Sequence, residues 1–367
     1  MLRSLVKTAA ANALHWSGIA RLFAKNAPLV LSYHRVVEDF SANARDSMPP
    51  MLISAKMLER QIDWIGRRYQ FVSLDELGSY LQGERSFPKP VAAVSFDDGY
   101  EDTYEHGLPL LHRKGIPSAV FVVTDLVGTS KLQYHDWLYL LLRRAFAQRD
   151  PRQDELFAFL REFGVRPPEG TKSGNDLVDF SKAVNFILAV LPQSEVCRVI
   201  ETLEKTHNLA PSPAQSHRAL TWDRLREMQQ AGVIIGSHTR SHAVLTAEDA
   251  EKVYEEIEGS RKELEKKLGS PVRHFAYPDG RFNRMTIKAV AASGYGFAYT
   301  TSPRPDADYP LLTIPRRVLW ERSCIDALGQ FSPALLDCLI SGVFDFGDYG
   351  AGGGLGQDFR HGYAVDL

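Results

Sequence analysis

The chain is short of cysteine, of net charge and of long apolar runs, and each shortage closes off a class of protein. Its 367 residues include three cysteines, Cys197, Cys324 and Cys338, odd in number and too far apart for a Cys-x-x-Cys pair. That sets aside a disulfide framework and leaves the thiols as buried or idle groups. The 43 Lys and Arg nearly balance the 45 Asp and Glu, for a formal net charge of -2. No global electrostatic case exists for a nucleic-acid partner. Nowhere does the chain offer the ~18 uninterrupted apolar residues that a membrane-spanning helix requires. No internal repeat is visible.

One absence is local. Between Met1 and Val37 there is no acidic residue, while Arg3, Lys7, Arg21, Lys25 and Arg35 are basic. Leu2, Leu5, Val6, Ala9, Ala13, Trp16, Ile19, Ala20 and Phe23 recur at helical spacing. Lys7 breaks the apolar core that a secretory signal needs. Two readings stay open for residues 1–27: a basic amphipathic helix making peripheral contact with an anionic membrane face, or a helix packed on its own domain. With no export signal legible, the expected location is cytoplasmic or peripheral on the inner membrane face.

What is present is a β/α rhythm. The strands "LVLSY", "VAAVSF", "SAVFVV", "GVIIGS", "HFAYP", "FAYTT" and "TIPRRVL" alternate with amphipathic helices over residues 28–322. Ser73 to Glu76 has capping-box spacing ahead of one helix, and Thr246 to Asp249 ahead of another. Such alternation predicts parallel strands with helices outside, as an α/β barrel or a doubly wound sheet. Between about 129 and 218 the rhythm gives way to helical periodicity, a helical insertion broken by the loop "GVRPPEGTKSGND". Residues 323–367 form a C-terminal segment ending in the glycine-rich "FDFGDYGAGGGLG".

Two stretches carry chemistry. "VSFDDGY" ends an apolar strand on Asp97 and Asp98. A buried carboxylate costs several kcal/mol unless it is paired, hydrogen-bonded or metal-bound, so the pair reads as a cation site or as a solvated Asp-Asp-Gly turn. "IIGSHTRSHAVLT" places His238 and His242 four apart at the end of another strand. Two imidazoles and one carboxylate make a three-ligand site with open positions, the pattern of a catalytic zinc. Both stretches lie at C-terminal strand ends, where α/β folds assemble their sites.

"SFDDGYEDTY", "GSHTRSHAVL" and "FAYPDGRF", in that order, resemble the leading motifs of the polysaccharide deacetylases, the NodB-homology group or carbohydrate esterase family four. The resemblance covers residues 28–320 apart from the insertion. It implies a distorted parallel (β/α) barrel and a metal-dependent hydrolase that removes N-acetyl groups from amino sugars in a polysaccharide or glycolipid. It implies one divalent ion, zinc by default with cobalt, nickel or iron as alternatives, held by Asp98, His238 and His242. Asp97 then matches the catalytic base. Tyr277, Pro278 and Asp279 line the substrate, with the Asp279 backbone N–H facing the oxyanion.

Two departures stand out. The arginine usual two residues before the proline of the third motif is replaced by Ala276, and Arg316 or Arg317 is the expected substitute. The closing Leu-x-His motif is missing. The "YH" of Tyr33-His34 instead resembles the permuted branch acting on poly-N-acetylglucosamine, which makes His34 the expected general acid; the alternative is a core imidazole bonded to a backbone carbonyl. His135 and Trp137 open the insertion and either border a sugar cleft or belong to a core. Two rival functions remain: a deformylase or deacetylase of a lipid-linked sugar at the membrane face, and an inactive glycan-binding module.

Overall fold

The computed structural model describes residues 2–19, 28–147, 158, 161, 165–166, 180–207, 217–346 and 365–366. Its strands are β1 (Leu29–Tyr33), β2 (Arg35–Val37), β3 (Leu52–Ser54), β4 (Gln70–Phe71), β5 (Val91–Phe96), β6 (Ser118–Val122), β7 (Val165–Arg166), β8 (Ile234–Ser237), β9 (His274–Ala276), β10 (Phe297–Thr300), β11 (Ile314–Pro315), β12 (Arg317–Val318) and β13 (Val365–Asp366). The main sheet is parallel and runs β11-β10-β9-β8-β6-β5-β1-β12, with β4 added beside β5. The pairs β2-β3 and β7-β13 stand apart from it.

β11 and β12 are one stretch of chain, and this closes the barrel. Ile314 and Pro315 pair with Tyr299 and Thr300 of β10, while Arg317 and Val318 pair with Leu31 and Ser32 of β1. Arg316 is the single residue between the two ladders, and its N–H donates to the Thr300 carbonyl at 2.8 Å. Strands β1, β5 and β6 are buried along their whole length. Burial on both faces is why they read as nearly unbroken apolar runs rather than as alternating ones.

The helices are α1 (Leu2–Trp16), α2 (Phe40–Asn43), α3 (Ala55–Gly66), α4 (Leu74–Leu81), α5 (Leu108–Arg113), α6 (Tyr134–Ala147), α7 (Ser181–Val190), α8 (Gln193–His207), α9 (Trp222–Gln230), α10 (Ala250–Leu268), α11 (Arg284–Ala292) and α12 (Pro333–Ser341). The capping box at Ser73 and Glu76 forms, each side chain bonding the other residue's backbone N–H. The second one does not. Helix α10 starts at Ala250 because Asp249 itself is the N-cap, its carboxylate accepting from the Lys252 N–H, and Thr246 lies in a separate turn. Helix α5 is preceded by a π-turn at Thr103–Gly107, just before Pro109, which has no N–H to donate.

The insertion helices α6, α7 and α8 enclose their own apolar cluster, including Leu138, Leu141, Leu142, Val184, Ile187, Val199 and Leu203. Most of the "GVRPPEGTKSGND" loop and of the glycine-rich tail lies outside the described residues. Helix α1 packs on α12, with Ala11 fully buried and His15 Nδ1 2.8 Å from Asp337 Oδ2. Its other face leaves Leu5, Val6 and Trp16 exposed, Trp16 to 84%. No helix among the described residues is long and apolar enough to cross a membrane. All three cysteines are free.

Candidate active site

Because the strands are parallel, residues that follow them emerge on one rim, and His34, Asp97, Asp98, His238, His242, Asp279 and Arg316 all do so. Among the described residues, four non-glycine positions have positive φ: Asp98 (70°), Thr239 (68°), His242 (63°) and Asp279 (54°). All four are on this rim. Such backbone costs on the order of 1–3 kcal/mol per residue and persists only where the surroundings over-determine it.

Asp97 sits at the end of β5 with its N–H donating to the Tyr33 carbonyl at 2.9 Å. Arg316 Nη1 donates to its Oδ1 at 2.7 Å and Ser32 Oγ to its Oδ2 at 2.9 Å. Burial pushes this carboxyl up, but the Arg316 guanidinium, with His238 and His34 beside it, outweighs burial and holds it below the usual carboxylate range. The group is an anion held at a fixed angle. Arg317 turns the other way and pairs with Asp345 at 2.6 Å, so Arg316 is the arginine that meets Asp97. Ser32 went unread, although a serine inside the apolar run "LVLSY" was its signal.

Asp98 is buried, and neither of its carboxylate oxygens has a hydrogen-bond partner. Its Oδ1 instead faces His242 Nε2 at 3.3 Å and His238 Nε2 at 3.6 Å. Each of the three residues offers one ligand atom, all within 4.8 Å of one another. Burial raises the Asp98 carboxyl, yet His242 and His135 more than reverse it, so the group stays ionised. An orphaned buried anion facing two imidazole nitrogens is what a divalent ion of zinc type requires, and the donor set fits one.

The histidines are oriented from behind. His238 Nδ1 is 2.7 Å from the Ala276 carbonyl oxygen, which turns Nε2 towards Asp98. Burial pushes its pKa down to about 4, the neutral form a metal ligand needs. The His242 N–H donates to Thr239 Oγ1 at 3.0 Å. Burial lowers the His242 pKa, but Asp98 more than restores it, with a further contribution from Asp279.

His34 is half-buried, and its buried Nδ1 has no hydrogen-bond partner, so it is not the carbonyl-bonded core imidazole of the alternative reading. Its carbonyl accepts from Thr103 Oγ1 at 3.0 Å, and its ring lies close enough to lower both Asp97 and Asp98.

Tyr277 calls for a correction. Its side chain is fully buried, packed on Phe275 and Phe282, with the hydroxyl donating to the Leu312 carbonyl at 3.0 Å. It belongs to the core and not to a substrate surface. Pro278 is buried beside it, while Asp279 is partly exposed and pairs with Arg281 at 2.6 Å.

The insertion supplies a further site residue. His135 Nε2 lies 3.8 Å from Asp98 Oδ2 and 2.7 Å from Tyr100 Oη, and its ring meets that of His242 edge-on at 5.2 Å. Tyr100 donates to Asp136 Oδ2 at 2.6 Å. One phenol proton cannot serve both neighbours, so the ring proton of His135 is on Nε2, facing the Tyr100 oxygen. Trp137 turns away, its indole N–H donating to Glu204 inside the insertion at 3.2 Å.

The family model described as polysaccharide deacetylase matches residues 84–145 and 181–298, breaking inside the insertion. YxkH of Bacillus subtilis, named only provisionally as a polysaccharide deacetylase, is 33% identical over 275 residues, 75% of this chain and 64% of that protein. The poly-beta-1,6-N-acetyl-D-glucosamine N-deacetylase of Staphylococcus aureus is 29% identical over 124 residues, 32% of this chain and 42% of that one. The chain thus spans less than two thirds of either curated relative. Among solved structures, the deacetylase PplD of Streptococcus pyogenes, in complex with acetate, superposes with a TM-score of 0.53 at 18% identity, over 85% of this chain and 97% of that one. A de-N-acetylase from Aggregatibacter actinomycetemcomitans superposes with a TM-score of 0.50 at 20% identity, over 80% and 94%. Both likenesses establish the barrel fold.

Proposed function

Since this chain carries a polysaccharide deacetylase domain, we propose that it hydrolyses the N-acetyl group of an amino sugar within a glycan. The observation that carries the reading is Asp98, an unpartnered buried anion between two histidines, beside Asp97 clamped by Arg316.

Asp98, His238 and His242 would hold one divalent ion, for which zinc suits the donors best and cobalt, nickel or iron are alternatives. Bound there, such an ion supplies a lowered water pKa and a polarised amide carbonyl. Asp97 takes the proton of the attacking water; Arg316 and Ser32 hold its carboxylate still while leaving lone pairs to accept that proton. The Asp279 N–H faces the carbonyl oxygen as negative charge develops on it. His34 gives a proton to the departing nitrogen, so the C–N bond breaks to acetate and a free amine. The Asp97–Arg316 pair favours turnover over an inactive binding module.

A second reading concerns where the glycan sits. The exposed Leu5, Val6 and Trp16 of α1, in a stretch free of acidic residues, favour a lipid-linked sugar at the inner membrane face.

The test is a metal count joined to acetate release. Wild type and His238→Ala are purified without chelator, and metals per chain are measured by mass spectrometry. β-1,6-linked N-acetylglucosamine oligomers, chitin oligomers and acetylated glycolipids are then assayed. About one ion per wild-type chain, lost in the variant together with acetate release, is expected. A wild type that stays empty in added zinc defeats the proposal.

A further inference from the structure

The segment between the two histidines, Thr239-Arg240-Ser241, is strained at Thr239 and held by residues the proposed chemistry does not use. Glu256, in the middle of α10, is fully buried. Its Oε2 accepts from the backbone N–H groups of both Arg240 and Ser241, each at 2.9 Å. Ser241 Oγ lies 2.6 Å from Glu256 Oε1 and 2.6 Å from Gln193 Oε1. Gln193 then reaches back, its Nε2 donating to the Ser241 carbonyl at 2.8 Å. Its own N–H donates to Glu248 at 2.6 Å. Lys252, one turn before Glu256 on α10, sits 3.1 Å from Glu256 Oε1.

Two features of this arrangement are unusual for a scaffold. A buried carboxylate is costly, and here two backbone amides, a hydroxyl and one lysine offset that cost. Gln193 opens α8 and so belongs to the helical insertion, not to the barrel. The segment is therefore gripped from both sides, by Glu256 from the barrel and by Gln193 from the insertion. Positive φ at Thr239 and His242 is not the conformation this chain would choose unaided, and the grip is what over-determines it.

We propose that Glu256 and Gln193 are positioning residues that hold the Thr239–Ser241 turn so that His242 meets His238 and Asp98, and that the insertion thereby acts as a strut for the ion site. The inference rests on the metal reading above and gives the insertion a task distinct from walling the cleft. Partners that orient metal ligands are worth about 10–100-fold in metal affinity, even when they never touch the ion.

The experiment uses the full chain and zinc alone. Zinc affinity is measured by chelator competition for wild type, Glu256→Gln and Gln193→Ala, with melting curves for each protein with and without zinc. Backbone amide exchange at Arg240 and Ser241 is followed in the metal-free protein. Glu256→Gln is expected to weaken zinc about 10–100-fold and Gln193→Ala several-fold. The zinc-induced rise in melting temperature should shrink in both, and both amides should exchange faster. A residue with only a structural role would lower the metal-free and zinc-loaded melting temperatures equally and leave affinity alone. Affinities within twofold of wild type in folded variants, with unchanged exchange, overturn the proposal. Should Glu256→Gln fail to fold, Gln193→Ala decides, because it removes only loop contacts. A wild type that binds no zinc is a different result: it defeats the metal reading and the strut with it.

Discussion

Arg316 Nη1 meets Asp97 Oδ1 at 2.7 Å across 219 residues of sequence, and both side chains are almost wholly buried. Removing one partner of such a pair strands the other charge in the core, at a cost of about 3–5 kcal/mol. Arg316→Met is expected to lose stability of that order in urea titration. Adding Asp97→Asn should recover most of the loss, because the stranded charge is then gone. Equal stabilities for the two variants would contradict the pairing.

Asp97→Asn on its own separates base from ligand. The amide keeps the shape of the carboxylate but takes no proton, so acetate release is expected to fall about 10²–10⁴-fold. Metal content should stay at the wild-type value. Loss of the ion in this variant would assign Asp97 to the ligand set instead.

Tyr100→Phe deletes the phenol oxygen that joins the insertion to the motif strand. Asp136 Oδ2 loses its 2.6 Å donor and His135 Nε2 its 2.7 Å partner, both out of contact with water. A loss of about 1–3 kcal/mol follows from leaving buried polar groups unsatisfied. Denaturant midpoints measure it, and an unchanged midpoint would mean that water replaces the hydroxyl.

Gly99 follows the aspartate pair with φ of 71°, and a Cβ there would come within 2.9 Å of Val122 Cγ1. Gly99→Ala combines the left-handed penalty with that close contact, and about 1–3 kcal/mol of destabilisation is expected. A melting temperature equal to wild type would show that the turn relaxes freely.

The thiols offer a check on packing. Burial pushes Cys324 up to about 12 and Cys338 up to about 11, so neither forms thiolate near neutrality. Native protein at pH 8 should react with a thiol reagent at Cys197 alone, and at all three cysteines in denaturant. Native-state reaction of Cys338 would contradict the packing of α12 on α1, and that of Cys324 its burial against Gln61.

The cluster of Asp98, His238 and His242 was legible in the sequence because all three stand beside strand ends, and strand ends are visible as apolar runs. Arg316 could be narrowed only to a pair, since the direction of each arginine depends on the kink between β11 and β12. The Tyr277 assignment failed because a motif position says nothing about which way a ring turns, and this ring found the Leu312 carbonyl. Glu256 was invisible for a plainer reason. In "EKVYEEIEGSRKELEKK" it looks like one more charge on a solvated helix, and only the approach of the Ser241 loop removes it from water. Long-range partners of this kind leave no local pattern.

The seam at residues 314–318 also sets an order of events. At synthesis rates of about 5–20 residues per second, Arg316 leaves the ribosome on the order of 10–40 s after Asp97, given their 219-residue separation. Until then the nascent sheet has two open edges, at β10 and β1, and Asp97 lacks its guanidinium partner. The stretch that seals the barrel is the one that delivers that partner. Closing the wall and pairing Asp97 therefore depend on one late-made stretch of chain, and a chain cut short before it has neither.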